Sequence, residues 1–241
     1  MSVLAIDIGL KNLSLCIMSC EKSRDLTTYK INYWDVINTL EEEKICEELT
    51  KKGKICGKKC TSKVRNLDKN FIYTCKTHAN KSKKVLSYKS KQVKDFTLQD
   101  IAKMVLGKIN EIFEKYTVFQ DVKKVFIELQ PKCNNKMKFV SHIVYGKLVD
   151  LYSFDSCTTT IRFIRAVSKL KGHGVLVSQE ICKSKSKYTQ RKFQGIQYTS
   201  NYLENKFSEE QREEWYPFFI SHSKKDDLAD CFLYCINALR N

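Results

Sequence analysis

Two acidic residues of this chain lie within runs of apolar residues, where a carboxylate needs a compensating partner. Asp7 interrupts the run VLAIDI near the N-terminus, and Glu128 lies in the run KVFIEL. An unpaired carboxylate in a protein interior is costly, so each acid is expected to have such a partner. For Asp7 alone, a turn with Gly9 at the end of a strand is the simpler interpretation. The choice between a turn and a metal or phosphate site therefore depends on acids elsewhere in the chain.

Further acids stand at the start of the last apolar segment, KKDDLADCFLYCINAL. Positions 227 and 230 are three residues apart, so they share one face of a helix. Asp226 follows Ser223 by three residues, a spacing typical of a capping box. The predicted catalytic and metal-binding acids are Asp7, Glu128, Asp227 and Asp230, with Asp226 held in reserve.

Four carboxylates that converge on one point repel one another at neutral pH unless cations lie among them. Oxygen ligands of this kind suit Mg²⁺ or Mn²⁺. Two such ions about 4 Å apart would activate a water molecule and stabilise the leaving 3′ oxygen in phosphodiester hydrolysis. The acids therefore predict a nuclease with two divalent ions in each active site.

The elements that must position these acids follow from the periodicity of apolar residues. A hairpin is predicted over residues 2–19, with a carboxylate in the middle of its first strand. Apolar residues at helical spacing predict amphipathic helices, and short apolar runs predict buried strands. Further strands are predicted at 28–36, 124–129 and 160–164, and helices at 40–49, 97–116, 136–154, 188–204 and at the C-terminus.

The charge of the chain indicates a polyanionic partner. The 241 residues include 43 Lys or Arg and 27 Asp or Glu, which gives a net charge of +16. Nucleic acid or an acidic membrane would fit this balance. No run of 18 apolar residues occurs, so no transmembrane helix is predicted. The absence of a signal peptide and the 11 scattered cysteines predict an intracellular protein with reduced thiols, which is not secreted.

Nearly all of the excess charge lies in one segment. Residues 51–94 contain 15 basic residues and one acid. Such a segment could be a disordered basic loop. It also has the spacing C-x3-C-x14-C-x2-H, which is typical of a small zinc site. The predicted zinc ligands are Cys56, Cys60, Cys75 and His78, with Cys46 as an alternative ligand.

A zinc ion would let a segment with few core residues fold. The predicted organisation is therefore a main domain at 1–45 and 95–241, with a basic Cys/His insertion at 46–94. The predicted task of the insertion is to bind the phosphate backbone of nucleic acid. Near the proposed acidic site, further phosphate contacts are predicted for Lys136, Lys138, Arg191, Lys192, Lys224 and Lys225.

Three motifs in order, AIDIGLKN, FIELQP and KKDDLAD, resemble those of the RuvC-type Holliday-junction resolvases. The resemblance is closest to the poxvirus and fungal mitochondrial branch. It implies an α/β RNase H-like fold, in which helices flank a mixed five-stranded sheet. It also implies a homodimer that nicks four-way DNA junctions symmetrically with Mg²⁺. This branch also suggests that the chain comes from a large DNA virus and acts in the host cytoplasm.

By position, the family's metal-binding acids match Asp7, Glu128, Asp227 and Asp230, and Gln130 follows the strand acid as in other members. The chain departs from the bacterial pattern at Ile8, where that pattern has proline. The family's core also lacks the basic cysteine-bearing segment, so the substrate stays open between a four-way junction and another branched structure.

Three other functions stay in consideration. Sugar kinases and actin-like ATPases also have an Asp-x-Gly hairpin, but they need a second such loop, and Glu128 is followed by no glycine. A non-catalytic, zinc-dependent DNA-binding protein would explain the basic segment but not the four acids. An RNase H-like or flap nuclease would keep the metal site and change the substrate.

Overall fold

The computed structural model describes residues 1–40, 44–65, 70–79, 85–89, 91–131, 133–153, 159–173 and 186–240. The strands are β1 (Ser2–Ile8), β2 (Asn12–Cys20), β3 (Tyr29–Asn38), β4 (Ser62–Arg65), β5 (Phe71–Thr74), β6 (Val85–Ser87), β7 (Lys124–Glu128) and β8 (Thr160–Ile164). The helices are α1 (Lys76–Ala79), α2 (Leu98–Lys115), α3 (Asn135–Ser153), α4 (Lys187–Asn205), α5 (Glu209–Ser221) and α6 (Lys225–Arg240).

The chain forms two compact units. One unit comprises residues 1–39 and 98–241, and the other comprises residues 40–97. The sequence placed these boundaries at 45/46 and 94/95. No described helix is long and apolar enough to cross a membrane.

The larger unit is built on a mixed five-stranded sheet with the order β3-β2-β1-β7-β8. Strands β1, β2 and β3 pair antiparallel, whereas β7 runs parallel to both β1 and β8. Helices flank this sheet, so the predicted RNase H-like α/β architecture is confirmed.

Alternate residues of β1 face opposite sides of the sheet, as the two-residue period of a strand requires. Val3 and Ala5 are buried in the core that contains α6. Ile6 faces the other side, where it lines a small apolar space with Ile109 of α2 and Leu148 of α3. This alternation directs Asp7 to the α6 side of the sheet.

Helix α6 is buried on most of its circumference, because the sheet covers one side and α4 and α5 cover the other. The indole Nε1 of Trp34 donates a hydrogen bond of 3.0 Å to the carbonyl of Leu228, and its ring stacks on Phe219. These contacts fix the first turn of α6 against β3, and so fix the acids that this turn carries.

The turn between β1 and β2 depends on Gly9. A Cβ atom at this position would collide with the main-chain oxygen of Asn12. A side chain is therefore excluded next to Asp7, and this accounts for the glycine of the AIDIGLKN motif in structural terms.

The unit at 40–97 contains a second sheet, with the order β5-β4-β6. The helix predicted at 40–49 is wrong over the described residues 44–49, and 41–43 lie outside the described residues. The amide of Cys46 instead donates to the carbonyl of Lys58, and the amide of Cys56 donates to the carbonyl of Glu48, both at 2.8 Å. The segment therefore folds back on residues 55–59, and these long-range pairings replace helical hydrogen bonds.

Candidate active site

Asp7 and Glu128 lie side by side because their strands pair in parallel. Ile6 is in register with Ile127, so the next residue of each strand occupies the same end of the sheet. Both acids also face α6, which contributes Asp230. Oxygen atoms of the three carboxylates lie within 4.8 Å of one another. The acidic centre, as we call Asp7, Glu128 and Asp230, thus brings together three of the four predicted acids.

Lys169 places a positive charge at this centre, and no pattern in the sequence indicates it. Its Nζ atom forms an ion pair with Asp230 and lies 3.4 Å from Glu128 Oε2. The three side chains are only 14–16% exposed, so the interaction is shielded from water. A short 3-10 helix, Ala166–Leu170, carries the lysine. One lysine among 43 basic residues cannot be singled out without knowing where this turn lies.

Two further side chains hold Glu128 in place. The hydroxyl of Tyr234 donates a hydrogen bond of 2.7 Å to Glu128 Oε2. Buried Gln130 donates to the main-chain carbonyl of Glu128 at 3.2 Å. Tyr234 follows Asp230 by four residues on α6, so helical spacing could have pointed to it.

The electrostatics show that negative charge is concentrated at the acidic centre. Burial raises the pKa of Asp7 well above its usual value, and the neighbouring Glu128 and Asp230 raise it further. Burial also raises the pKa of Asp230 to about 6, although Lys169 opposes the shift. One ammonium group therefore does not fully compensate three carboxylates, and the donor set fits a hard divalent cation.

Asp227 and Asp226 are not members of the group of oxygen atoms that lie within 4.8 Å of one another. Asp226 forms an ion pair with Lys192 of α4. Burial acts to raise the pKa of Asp226, but the hydrogen bond and charge of Lys192 outweigh it and lower the pKa. Asp227 has a raised pKa, because of burial first and the charge of Asp226 second. Asp226 thus forms an ion pair with a lysine, whereas no such ion pair is found for Asp227 among the described residues.

The six predicted phosphate-binding residues lie on three helices or beside them. Lys192 is committed to Asp226, while Arg191 is exposed one residue earlier on α4. Lys136 and Lys138 lie in the first turn of α3, and Lys224 and Lys225 lie at the start of α6. Their contacts with DNA stay a prediction.

The predicted Cys/His cluster forms in the 40–97 unit, but with one different member. Ligand atoms of Cys46, Cys56, Cys75 and His78 lie within 4.8 Å of one another, and Cys60 is outside this group. The backbone explains the exchange, because Gly57 donates to the carbonyl of Cys46 at 3.1 Å and so draws residue 46 beside residue 56. Cys60, which was predicted as a ligand, therefore lies outside the cluster, and Cys46, the predicted alternative, takes its place.

Comparison with known proteins gives one family. A family profile described as "Mitochondrial resolvase Ydc2 / RNA splicing MRS1" matches residues 3–130. An uncharacterized protein of Acanthamoeba polyphaga mimivirus is 28% identical over 253 residues, which cover 92% of this chain and 58% of that protein. The chain thus spans little more than half the length of this curated relative.

Two solved structures of resolvases are similar to this chain. The yeast mitochondrial Holliday junction resolvase Ydc2 superimposes with a TM-score of 0.53 and 15% identity, over 99% of this chain and 78% of that chain. The fowlpox virus resolvase, solved with Holliday junction DNA, gives a TM-score of 0.48 and 11% identity, over 99% of this chain and 97% of that chain.

Proposed function

The chain belongs to the family described as "Mitochondrial resolvase Ydc2 / RNA splicing MRS1", and from this we propose that it is a metal-dependent endonuclease that resolves four-way DNA junctions. Membership of this family confirms the resemblance to RuvC-like resolvases that the three motifs indicated. The observation that carries the proposal is the acidic centre, in which carboxylates from β1, β7 and α6 meet at one end of the sheet. A scaffold that only binds DNA has no need of this arrangement.

Asp7, Glu128 and Asp230 would hold Mg²⁺ or Mn²⁺ in this proposal, and Asp227 would complete the set. Two bound ions supply an activated water nucleophile and stabilise charge on the leaving 3′ oxygen. The chain itself orients the ligands, since Tyr234 fixes one oxygen of Glu128 by a hydrogen bond. Lys169 holds the carboxylates together when no divalent ion is bound, because its ammonium group reaches two of them.

A four-way junction has two-fold symmetry, so two symmetric nicks require two active sites. A homodimer with a two-fold axis supplies them. We therefore propose that two copies of this chain act on one branched DNA. One relative comes from a virus, and we propose that this chain acts in viral DNA replication or recombination in the host cytoplasm.

The test of this function is cleavage of a synthetic four-way junction in Mg²⁺ or Mn²⁺. Linear duplex, a 5′ flap and an RNA–DNA hybrid are the parallel substrates. Paired nicks at symmetric positions of the junction alone support the proposal. Cleavage restricted to the flap or the hybrid would contradict the four-way junction as the substrate. Tight binding without cleavage of any substrate would contradict the proposed nuclease activity.

RNA binding without cleavage is the second candidate, because the family's description also names RNA splicing. RNA binding would explain the positive charge of the chain but not the three converging carboxylates of the acidic centre. Binding of structured RNA that excludes junction DNA, with no cleavage of either, would favour it.

The two adjacent acids at the start of α6 should differ in their effect on cleavage. Asp227→Asn is expected to reduce the rate at least about a hundredfold, since it removes a proposed metal ligand. Asp226→Asn should reduce it less than about tenfold, because Asp226 is engaged by Lys192. Single-turnover junction cleavage measures both rates, and the reverse order would assign the ligand to Asp226.

Metal binding should weaken as the pH falls through about 6, because a proton on Asp230 competes with the cation. For one competing proton, affinity for Mn²⁺ decreases about tenfold for each pH unit below that value. The free Mn²⁺ signal in electron paramagnetic resonance, recorded between pH 5 and 8, measures this affinity. In Asp230→Asn the affinity should be lower at neutral pH and its pH dependence shallower. An equally steep dependence in that variant would contradict the assignment.

A further inference from the structure

The ligand atoms of Cys46, Cys56, Cys75 and His78 have the spacing of a tetrahedron. Cys46 Sγ lies 3.2 Å from His78 Nδ1, and Cys75 Sγ lies 3.6 Å from the same nitrogen. The Sγ atoms of Cys56 and Cys75 are 4.0 Å apart. With usual zinc bond lengths, tetrahedral ligands are separated by about 3.8 Å for two sulfurs and about 3.6 Å for sulfur and nitrogen. Three thiolate sulfurs and one imidazole nitrogen at these distances exclude a Mg²⁺ site and favour zinc.

The four residues join two segments of the 40–97 unit. Cys46 and Cys56 belong to the folded-back strand-like segment, Cys75 follows β5, and His78 lies in the single turn α1. The apolar core around them is very small, with Cys46, Cys60 and Cys75 as its buried members. Several large apolar side chains of the same unit, including Ile45, Leu49 and Ile55, are more than half exposed. A unit with so little buried apolar surface needs another source of stability.

One face of the sheet in this unit combines cations with aromatic rings. Cross-strand partners point to the same face, so Arg65 lies beside Phe71, and Lys63 lies beside Tyr73. The Nζ atom of Lys63 is 4.4 Å from the centre of the Phe71 ring, and the guanidinium of Arg65 is 5.5 Å from it. Phe71 remains 37% exposed. Exposed rings flanked by cations are the features with which proteins bind single-stranded nucleic acid.

We propose that Cys46, Cys56, Cys75 and His78 bind a structural zinc ion, and that the zinc-organised unit binds nucleic acid through Lys63, Arg65 and Phe71. The ion fixes the folded-back segment to the end of β5, and β5 in turn supplies Phe71. Phe71 stacks on a base while Lys63 and Arg65 contact phosphates. This unit carries none of the acids of the proposed active site, so its binding can be measured separately from cleavage.

Metal analysis of the full chain, purified without chelator, tests the zinc site. About one zinc ion per chain is expected. The metal should be lost in Cys46→Ser and Cys56→Ser and retained in Cys60→Ala, a matched control at a buried cysteine outside the ligand group. Retention in Cys46→Ser together with loss in Cys60→Ala would overturn the ligand set, and a wild-type chain that binds no zinc would overturn the site.

The variant His78→Cys distinguishes loss of metal through a missing ligand from loss of metal through unfolding. This variant keeps four ligands and should still bind metal. After substitution with Co²⁺, its absorption spectrum should change from that of a three-sulfur site to that of a four-sulfur site. An unchanged spectrum would show that His78 is not a ligand and would overturn this part of the proposal.

Fluorescence anisotropy with a labelled single-stranded oligonucleotide tests the sheet face. The variants are made in the Asp7→Asn background, so that the probe is not cleaved. Binding is then measured independently of the proposed nuclease activity. Lys63→Ala combined with Arg65→Ala should weaken binding about tenfold or more and reduce the salt dependence. Phe71→Leu should weaken it at least about fivefold through lost stacking.

The matched control for charge is Lys51→Ala combined with Lys52→Ala, which removes two exposed cations from a turn of the same unit. It should change binding by less than about twofold. An equal loss in both double variants would show that net charge alone governs binding and would overturn the sheet face as the site. The same experiment with duplex DNA shows whether a single strand is required.

Discussion

Asp7→Asn is expected to reduce junction cleavage about a thousandfold or more while junction binding persists. The carboxylate stands on the central strand β1, between Glu128 on the neighbouring strand and Asp230 on α6. An amide of the same size keeps the shape of the site but removes the charge of a proposed metal ligand. Loss of a group that stabilises developing charge lowers rates by two orders of magnitude or more, and Asp7 would also help to hold the proposed divalent ions.

The same variant should be more stable than the wild type in the absence of metal. Burial and two neighbouring acids raise the pKa of Asp7, so its charge opposes folding at neutral pH. Removal of that charge should increase the free energy of unfolding by roughly 1–2 kcal/mol. Urea unfolding in EDTA measures this change. Reduced cleavage accompanied by lower stability would instead indicate damage to the fold.

Lys169→Met is expected to lower the free energy of unfolding by about 3 kcal/mol in EDTA at pH 8. Lys169 is the cation that contacts Glu128 and Asp230, and all three side chains are largely buried. Removing one partner of a buried ion pair leaves the other charges uncompensated. Methionine retains most of the volume, so lost charge rather than a cavity dominates the effect.

Both protons and divalent cations should restore part of the stability that Lys169→Met loses. Burial raises the pKa values of Asp7 and Asp230 even with Lys169 present. Without Lys169, protonation of these two acids therefore stabilises the folded state as the pH falls through their pKa values. Divalent ions replace the ammonium group, and Mn²⁺ should therefore raise the stability of Lys169→Met more than that of the wild type. Urea unfolding with and without Mn²⁺ at pH 8 and pH 5.5 measures both effects.

Lys171→Met is the matched control, because Lys171 is exposed two residues further along the chain. It should change stability by less than about 0.5 kcal/mol. A deficit in Lys169→Met that equals this control, or that Mn²⁺ does not reduce, would contradict the role of Lys169 as the counter-charge of the acidic centre.

The strand acids and the helix acids could be read from the sequence because their signals are local. A two-residue period places Asp7 on the same face as Val3 and Ala5, and an acid among apolar residues is conspicuous wherever it occurs. The same reasoning identified the hairpin and the apolar helices, and each of these features depends on residues within a few positions of one another. The fold class was implied by the resemblance that the three motifs carry.

The remaining features of the two sites depend on contacts between distant parts of the chain. Lys169 contacts Glu128, which is 41 residues away in the sequence, and Asp230, which is 61 residues away. It lies in a turn that no periodic pattern of apolar residues predicts. Cys46 displaces Cys60 because backbone hydrogen bonds to residues 57 and 58 draw it into the cluster. Asp226 is paired with Lys192, which comes from another helix. The sequence by itself thus determined which acids and thiols are available, whereas only the tertiary structure decided their partners, because each partner is positioned by loop geometry and helix packing rather than by its neighbours in sequence.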